Sequence, residues 1–124
     1  MSYFLVFIGG GIGAALRHAV NRGSLILLGA SFPFGTFIVN VLGSFAMGML
    51  AAIFLARGEG DQSLRLFLTT GLLGGFTTFS AFSLDAAMLG ERGEWLALGI
   101  YVVGSVAMSM FALFVGMAVA RSFS

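Results

Sequence analysis

Six side chains carry hydrogen-bonding groups at helical spacing through an otherwise apolar chain: Thr36, Asn40 and Ser44 at intervals of four, then Tyr101, Ser105 and Ser109 likewise. That interval places each set along one helical face, and Gly48 continues the first series. An amide and hydroxyls can donate hydrogen bonds and contribute no fixed charge. Asn40 falls near the centre of its apolar run, where an unsatisfied amide is costly, and its NH2 offers two donors to anything negative. The hydroxyls have two readings. They bridge helices, at about 0.6 kcal/mol per bond in a membrane, or they line a hydrogen-bonding path. A third segment, Gly71 to Ser83, holds Gly71, Gly74 and Gly75 close together, which weakens a helix. Gly71 and Gly75 have the small-xxx-small spacing of close helix packing. Alternatively, the helix is interrupted there and frees carbonyls able to bind a cation. Phe79 and Phe82, three apart, share a face in the manner of core-packing rings.

The setting for these groups is hydrocarbon. Of 124 residues, 59% are hydrophobic and 9% charged, against about 25% charged in soluble domains. The chain has no cysteine, which excludes disulfides, thiolate metal sites and cysteine nucleophiles. It has no lysine and a formal net charge of +1, leaving no basic patch for nucleic acid. The start, Met1-Ser2-Tyr3, lacks the basic region of a signal peptide, so the first apolar segment is expected to stay in the mature protein. An enzyme is not expected, since the single histidine, His18, has no acid or nucleophile near it in sequence. Gly9, Gly11 and Ala14 fit a dinucleotide fingerprint, but no acid occurs before Glu59, and the fingerprint requires one about twenty residues on.

Gly35 to Ala56, Leu66 to Leu84 and Leu96 to Ala120 are free of charge, and each approaches or exceeds the ~20 residues that cross a bilayer core. Tyr3 to Leu16 is shorter and extends to about Asn21 to reach a spanning length, which places Arg17 near one membrane face. Pro33 makes Gly23 to Pro33 a connection. Arg57 to Arg65 and Asp85 to Trp95 are the remaining loops and hold every acid. The expected fold class is therefore an all-α membrane protein, one domain over 1–124, with spans near 3–21, 35–56, 66–84 and 96–120.

With four spans, Arg57, Arg65 and Arg121 fall on one side and Arg17, Arg22 and Arg92 on the other. Orientation follows the cytoplasmic excess of basic residues, and three against three leaves none. Four helices also enclose little interior for mid-membrane polar groups, so a partner is expected. Two copies inserted in opposite directions would supply the inverted symmetry that larger transporters obtain from fused repeats.

The segment Gly71 to Ser83, the run Gly35-Thr36-Phe37-Ile38-Val39-Asn40 and the opening Gly9 to Arg17 closely resemble the Fluc (CrcB) fluoride channel family. Gly74-Gly75-Phe76-Thr77-Thr78-Phe79-Ser80-Ala81-Phe82-Ser83 is the most specific part. The resemblance implies a dual-topology antiparallel homodimer in the cell (inner) membrane, with the third helix broken near Gly74-Thr78 and passive fluoride export. It further implies that Asn40, Phe79, Phe82, Tyr101, Ser105 and Ser109 line the fluoride path, and that Gly74 and Thr77 offer carbonyls to a structural sodium ion at the dimer centre. Arg17, Thr36 and Asp85 are vestibule candidates. His18 departs from the aromatic common after the family's arginine, and Asp85 from a frequent glutamate. The partners would be fluoride, a second copy and membrane lipids, with no nucleic acid. One rival is a small dual-topology proton-coupled multidrug exporter, which needs a carboxylate inside the membrane; no span has one, unless Asp85 at the end of span three reaches inward. Another is a membrane scaffold without transport, for which the glycine faces would suffice.

Overall fold

The charge-free runs become helices because a backbone in hydrocarbon must satisfy its own hydrogen bonds. The computed structural model describes residues 2–57 and 62–123. Four stretches are long and apolar enough to cross a membrane: Ser2–Leu28, Phe34–Phe54, Gln62–Glu91 and Trp95–Ser122. Among the described residues there is no strand, and the chain is a multi-pass all-α membrane protein. Helix α1 is Ser2–Leu28 and α2 is Phe34–Arg57. The third span begins with α3, Gln62–Arg65, continues through a π-wound segment, Leu66–Leu73, and one turn of α4, Gly74–Phe76. After an interruption it resumes as α5, Ser80–Glu91, and α6, Trp95–Ser122, follows.

Two boundaries differ from the sequence expectation, for one physical reason. The first helix does not end near Asn21; it runs through Gly23 to Leu28 and stops at Gly29. Gly29 has φ +84°, and its N–H returns to the Leu25 carbonyl at 3.1 Å, a left-handed helix cap that glycine adopts without strain. Gly23 is merely tolerated inside the helix, at a cost of about 1 kcal/mol. Arg17 consequently lies within α1 and not at its edge. Likewise Asp85 does not open a loop but sits in α5, and the turn shrinks to Arg92–Glu94, closed by Gly93 at φ +75°. Spanning length with Pro33, and the charge of Asp85, suggested the ends, whereas the positive-φ glycines make them. Of the expected Arg57–Arg65 connection, Arg57 ends α2, Gln62–Arg65 is already helical, and residues 58–61 lie outside the described residues.

Small residues hold the bundle together backbone to backbone. α2 packs most extensively on α6, where Gly48 meets the Leu113 carbonyl and Gly116 meets the Phe45 carbonyl. α1 packs on the first half of the third span: Gly9 faces Leu72 N, Gly13 faces the Leu72 carbonyl, and Gly10 abuts Gly75. Gly71 and Gly75 therefore serve the close packing that their spacing suggests, and both remain helical. The interruption falls one turn later, on Thr77, Thr78 and Phe79.

Candidate functional site

Thr77 leaves the helix with φ −86° and ψ 161°, an extended conformation, although its N–H still reaches the Leu73 carbonyl at 3.0 Å. Thr78 then turns to α2. Its N–H donates to Asn40 Oδ1 at 2.9 Å, and Asn40 Nδ2 donates back to the Thr78 carbonyl at 3.0 Å. The mid-span amide thus meets its cost by binding the interrupted backbone. The Thr78 hydroxyl accepts from Ala81 N at 3.2 Å, capping the first turn of α5. On the other side of the interruption, Arg17 Nε donates to the Gly75 carbonyl at 3.1 Å. Arg17, a vestibule candidate from the sequence, thus engages the backbone of the third span.

A groove of about 330 Å³ opens where the interruption faces α2 and α6. Asn40 and Ser44 line it from α2, Phe79 and Phe82 from the interruption and α5, and Ser105 and Ser109 from α6. Five of the six expected path residues are brought together here. Tyr101, the sixth, lies behind them, fully buried, with its ring 5.0 Å from that of Phe82. Ser105 is 5% exposed, and its buried hydroxyl has no hydrogen-bond partner among the described residues. An unmet donor in an apolar wall is costly and fits a polar occupant of the groove. Phe79 is 78% exposed in the single subunit, and its ring lies 5.7 Å from that of Phe82.

Thr36 and Asp85 belong to a second cavity, of about 370 Å³, shared with Asn21, Ser24 and Arg92. The Tyr101 hydroxyl donates to Asp85 Oδ2 at 3.2 Å and so links the two spaces. Reading the sequence missed several contributors. Phe32 meets the Tyr101 ring edge-on at 5.4 Å, yet it sits in a segment read only as a connection. Gly43 was unmarked; a Cβ there would collide with Thr77 Cγ2. Asn21 and Ser24 were within reach of inspection, as polar residues one helical turn apart, once α1 is known to continue past them.

The fold and groove define a small polytopic membrane protein whose helix break meets a face of uncharged hydrogen-bond donors. The family model described as "CrcB-like protein, Camphor Resistance (CrcB)" matches residues 4–117, and the chain belongs to that family. It is 53% identical over 122 residues to the fluoride-specific ion channel FluC of Rhodopseudomonas palustris strain BisB5, covering 98% of each chain. It is also 53% identical over 121 residues to the fluoride-specific ion channel FluC 2 of Nitrobacter hamburgensis, again 98% of each. To the fluoride-specific ion channel FluC of Mesorhizobium japonicum it is 54% identical over 118 residues, 95% of this chain and 94% of that one.

Proposed function

We propose that the protein is a fluoride-selective channel mediating passive export, built as an antiparallel homodimer. The observation that carries this reading is the convergence of Asn40, Phe82, Ser105 and Ser109 on one groove at the helix break, with the Ser105 hydroxyl unmet. Near-full-length relatives named as fluoride-specific channels support it. Fluoride only accepts hydrogen bonds and is strongly hydrated, so a path for it must replace water with donors and positive dipoles. Hydroxyls, an amide hydrogen and phenyl edges do this without a fixed charge, and weak successive sites let the ion leave. Conduction of this kind needs no covalent step. The exporter reading has little to draw on, because the groove is lined without a carboxylate and Asp85 is engaged by Tyr101 in the neighbouring cavity.

The Gly74 and Thr77 carbonyls suit a sodium ion at the dimer centre. Neither accepts a hydrogen bond among the described residues, whereas the Gly75 carbonyl is already taken by Arg17. An all-oxygen donor set of main-chain carbonyls matches a hard monovalent cation. Bound there, the ion would raise the local positive potential and tie the two subunits together. The chain's own part is to hold those carbonyls out of the helical ladder.

Purified protein in liposomes is expected to release fluoride at a high rate and chloride at a far lower one. Equal rates for the two anions would defeat the proposal. The balanced arginines further predict insertion in both orientations. Reporters fused at Ser124 should be active on both sides of the membrane. Two or three lysines added after Ser124 should bias orientation and lower activity until an oppositely biased copy is coexpressed. One-sided labelling of untagged, active protein would exclude the antiparallel dimer.

A further inference from the structure

Sharp interruptions of helices arise at proline, at glycine or serine pairs, at π-bulges, or where a side chain enters the hydrogen-bond ladder. The third span breaks at Thr77, Thr78 and Phe79, none of them glycine or proline, while Gly71, Gly74 and Gly75 stay helical. A side chain does enter the ladder there. Asn40 exchanges two hydrogen bonds with Thr78, at 2.9 and 3.0 Å, the reciprocal pattern by which one residue pairs with another across antiparallel strands. We propose that Asn40 is the positioning residue that sets the break in the third span, acting on fluoride passage through the Thr78 backbone and the two phenyl rings that follow.

Three further observations converge on this assignment. The diverted Thr78 N–H leaves the Gly74 carbonyl without its helical donor, and the neighbouring Gly75 carbonyl accepts from Arg17 Nε. Gly43, on the same helix as Asn40, lies against Thr77 so closely that no Cβ fits, so α2 seats the extended residue as well as its neighbour. Downstream, the Thr78 hydroxyl caps α5 at Ala81 N, fixing the turn that carries Phe79 and Phe82. With Oδ1 and one Nδ2 hydrogen committed to Thr78, Asn40 retains one hydrogen for the groove.

The flux part of this inference rests on the fluoride reading; the backbone part does not, and the test separates them. In reconstituted dimer labelled at threonine, the 13C shifts of Thr77 are expected at extended values in the wild type and to leave those values in Asn40→Ala. A second variant replaces Thr78 by its α-hydroxy analogue, which removes the N–H that Asn40 accepts; the ester also weakens the Thr77 carbonyl, so efflux is compared at saturating sodium. Fluoride efflux per dimer should then fall about fivefold, the worth of one neutral hydrogen bond, although the Asn40 side chain remains free to meet an anion. Wild-type efflux from the ester variant would make Asn40 a direct ligand alone and overturn the proposal. Unchanged Thr77 shifts in Asn40→Ala would overturn it too. Should the wild type conduct no fluoride, the shift comparison alone still decides the backbone claim.

Discussion

Replacing either Phe79 or Phe82 with isoleucine is expected to lower fluoride flux per folded dimer by about tenfold, with dimer yield near that of the wild type. Isoleucine keeps bulk and apolarity but lacks the ring's positive edge. An edge contact of about 1.4 kcal/mol at the permeation barrier, within the range of aromatic contacts beyond simple burial, corresponds to that factor. If the rings only pack, the same change should cost about 1.5 kcal/mol or less in stability and spare transport. The geometry weighs against packing within this chain for Phe79, which is 78% exposed, with its ring centroid 5.7 Å from that of Phe82. Phe82 is held between Phe79 and Tyr101, so its edge direction is constrained. Methionine at either position should retain part of the flux, since its thioether is polarizable and flexible. Normalising efflux to dimer isolated by size exclusion separates lost ligands from lost protein. Wild-type flux per dimer in both isoleucine variants would return the rings to the packing role.

Gly13→Leu and Gly75→Leu are expected to abolish recovery of folded protein. A Cβ at Gly13 would collide with the Leu72 carbonyl and approach Phe76 N at 2.8 Å; one at Gly75 would collide with Gly10 and come within 2.9 Å of its Cα. In each case the obstacle is main chain, which cannot rotate away as a side chain would, so the helices must separate and forfeit their contact. Overpacking costs about 1–3 kcal/mol even where neighbours can adjust, and here they cannot. Gly23→Ala is the control: no atom lies within 4 Å of its added Cβ, and alanine is the better helix former. Yield by size exclusion should be near normal for Gly23→Ala and absent for the other two. Normal yield of Gly13→Leu would show that α1 does not pack this closely on the third span.

The spans were legible wherever absence of charge coincided with the helix. α2 and α6 begin and end within a residue or two of the uncharged runs, because hydrocarbon excludes charge and enforces helix by the same mechanism. α1 was ended early because a minimal spanning length and Pro33 set its limit, and α5 because Asp85 was taken as a loop start, while the true stops are backbone conformations of Gly29 and Gly93. The glycines of the third span had two alternative readings, packing surface or breaker; they are packing surface, and the break expected near Gly74-Thr78 falls on Thr77, Thr78 and Phe79. Asn40 was recognised as a polar group needing a partner, yet its partner is a main-chain segment far along the chain, which no local spacing reveals. Phe79, Phe82, Ser105 and Ser109 line one groove, a grouping that the family resemblance implied and that their spacing alone did not. Tyr101 packs against Phe82 and against Phe32, which lies in a stretch with no helical period to read.

The π-wound segment Leu66–Leu73 makes the third span tolerant of changes in length that its neighbours cannot absorb. A π turn holds more residues than an α turn over the same axial distance. Loss of one residue within this stretch can be taken up by tightening to α winding, leaving Gly75, Thr77 and Phe79 in their phase. The same deletion within the first half of α2 would turn everything on one side of it by about 100° relative to the other, carrying Asn40 away from Thr78. Single-residue deletions among natural variants of this chain should therefore gather between Leu66 and Leu73 and be scarce between Phe34 and Gly48.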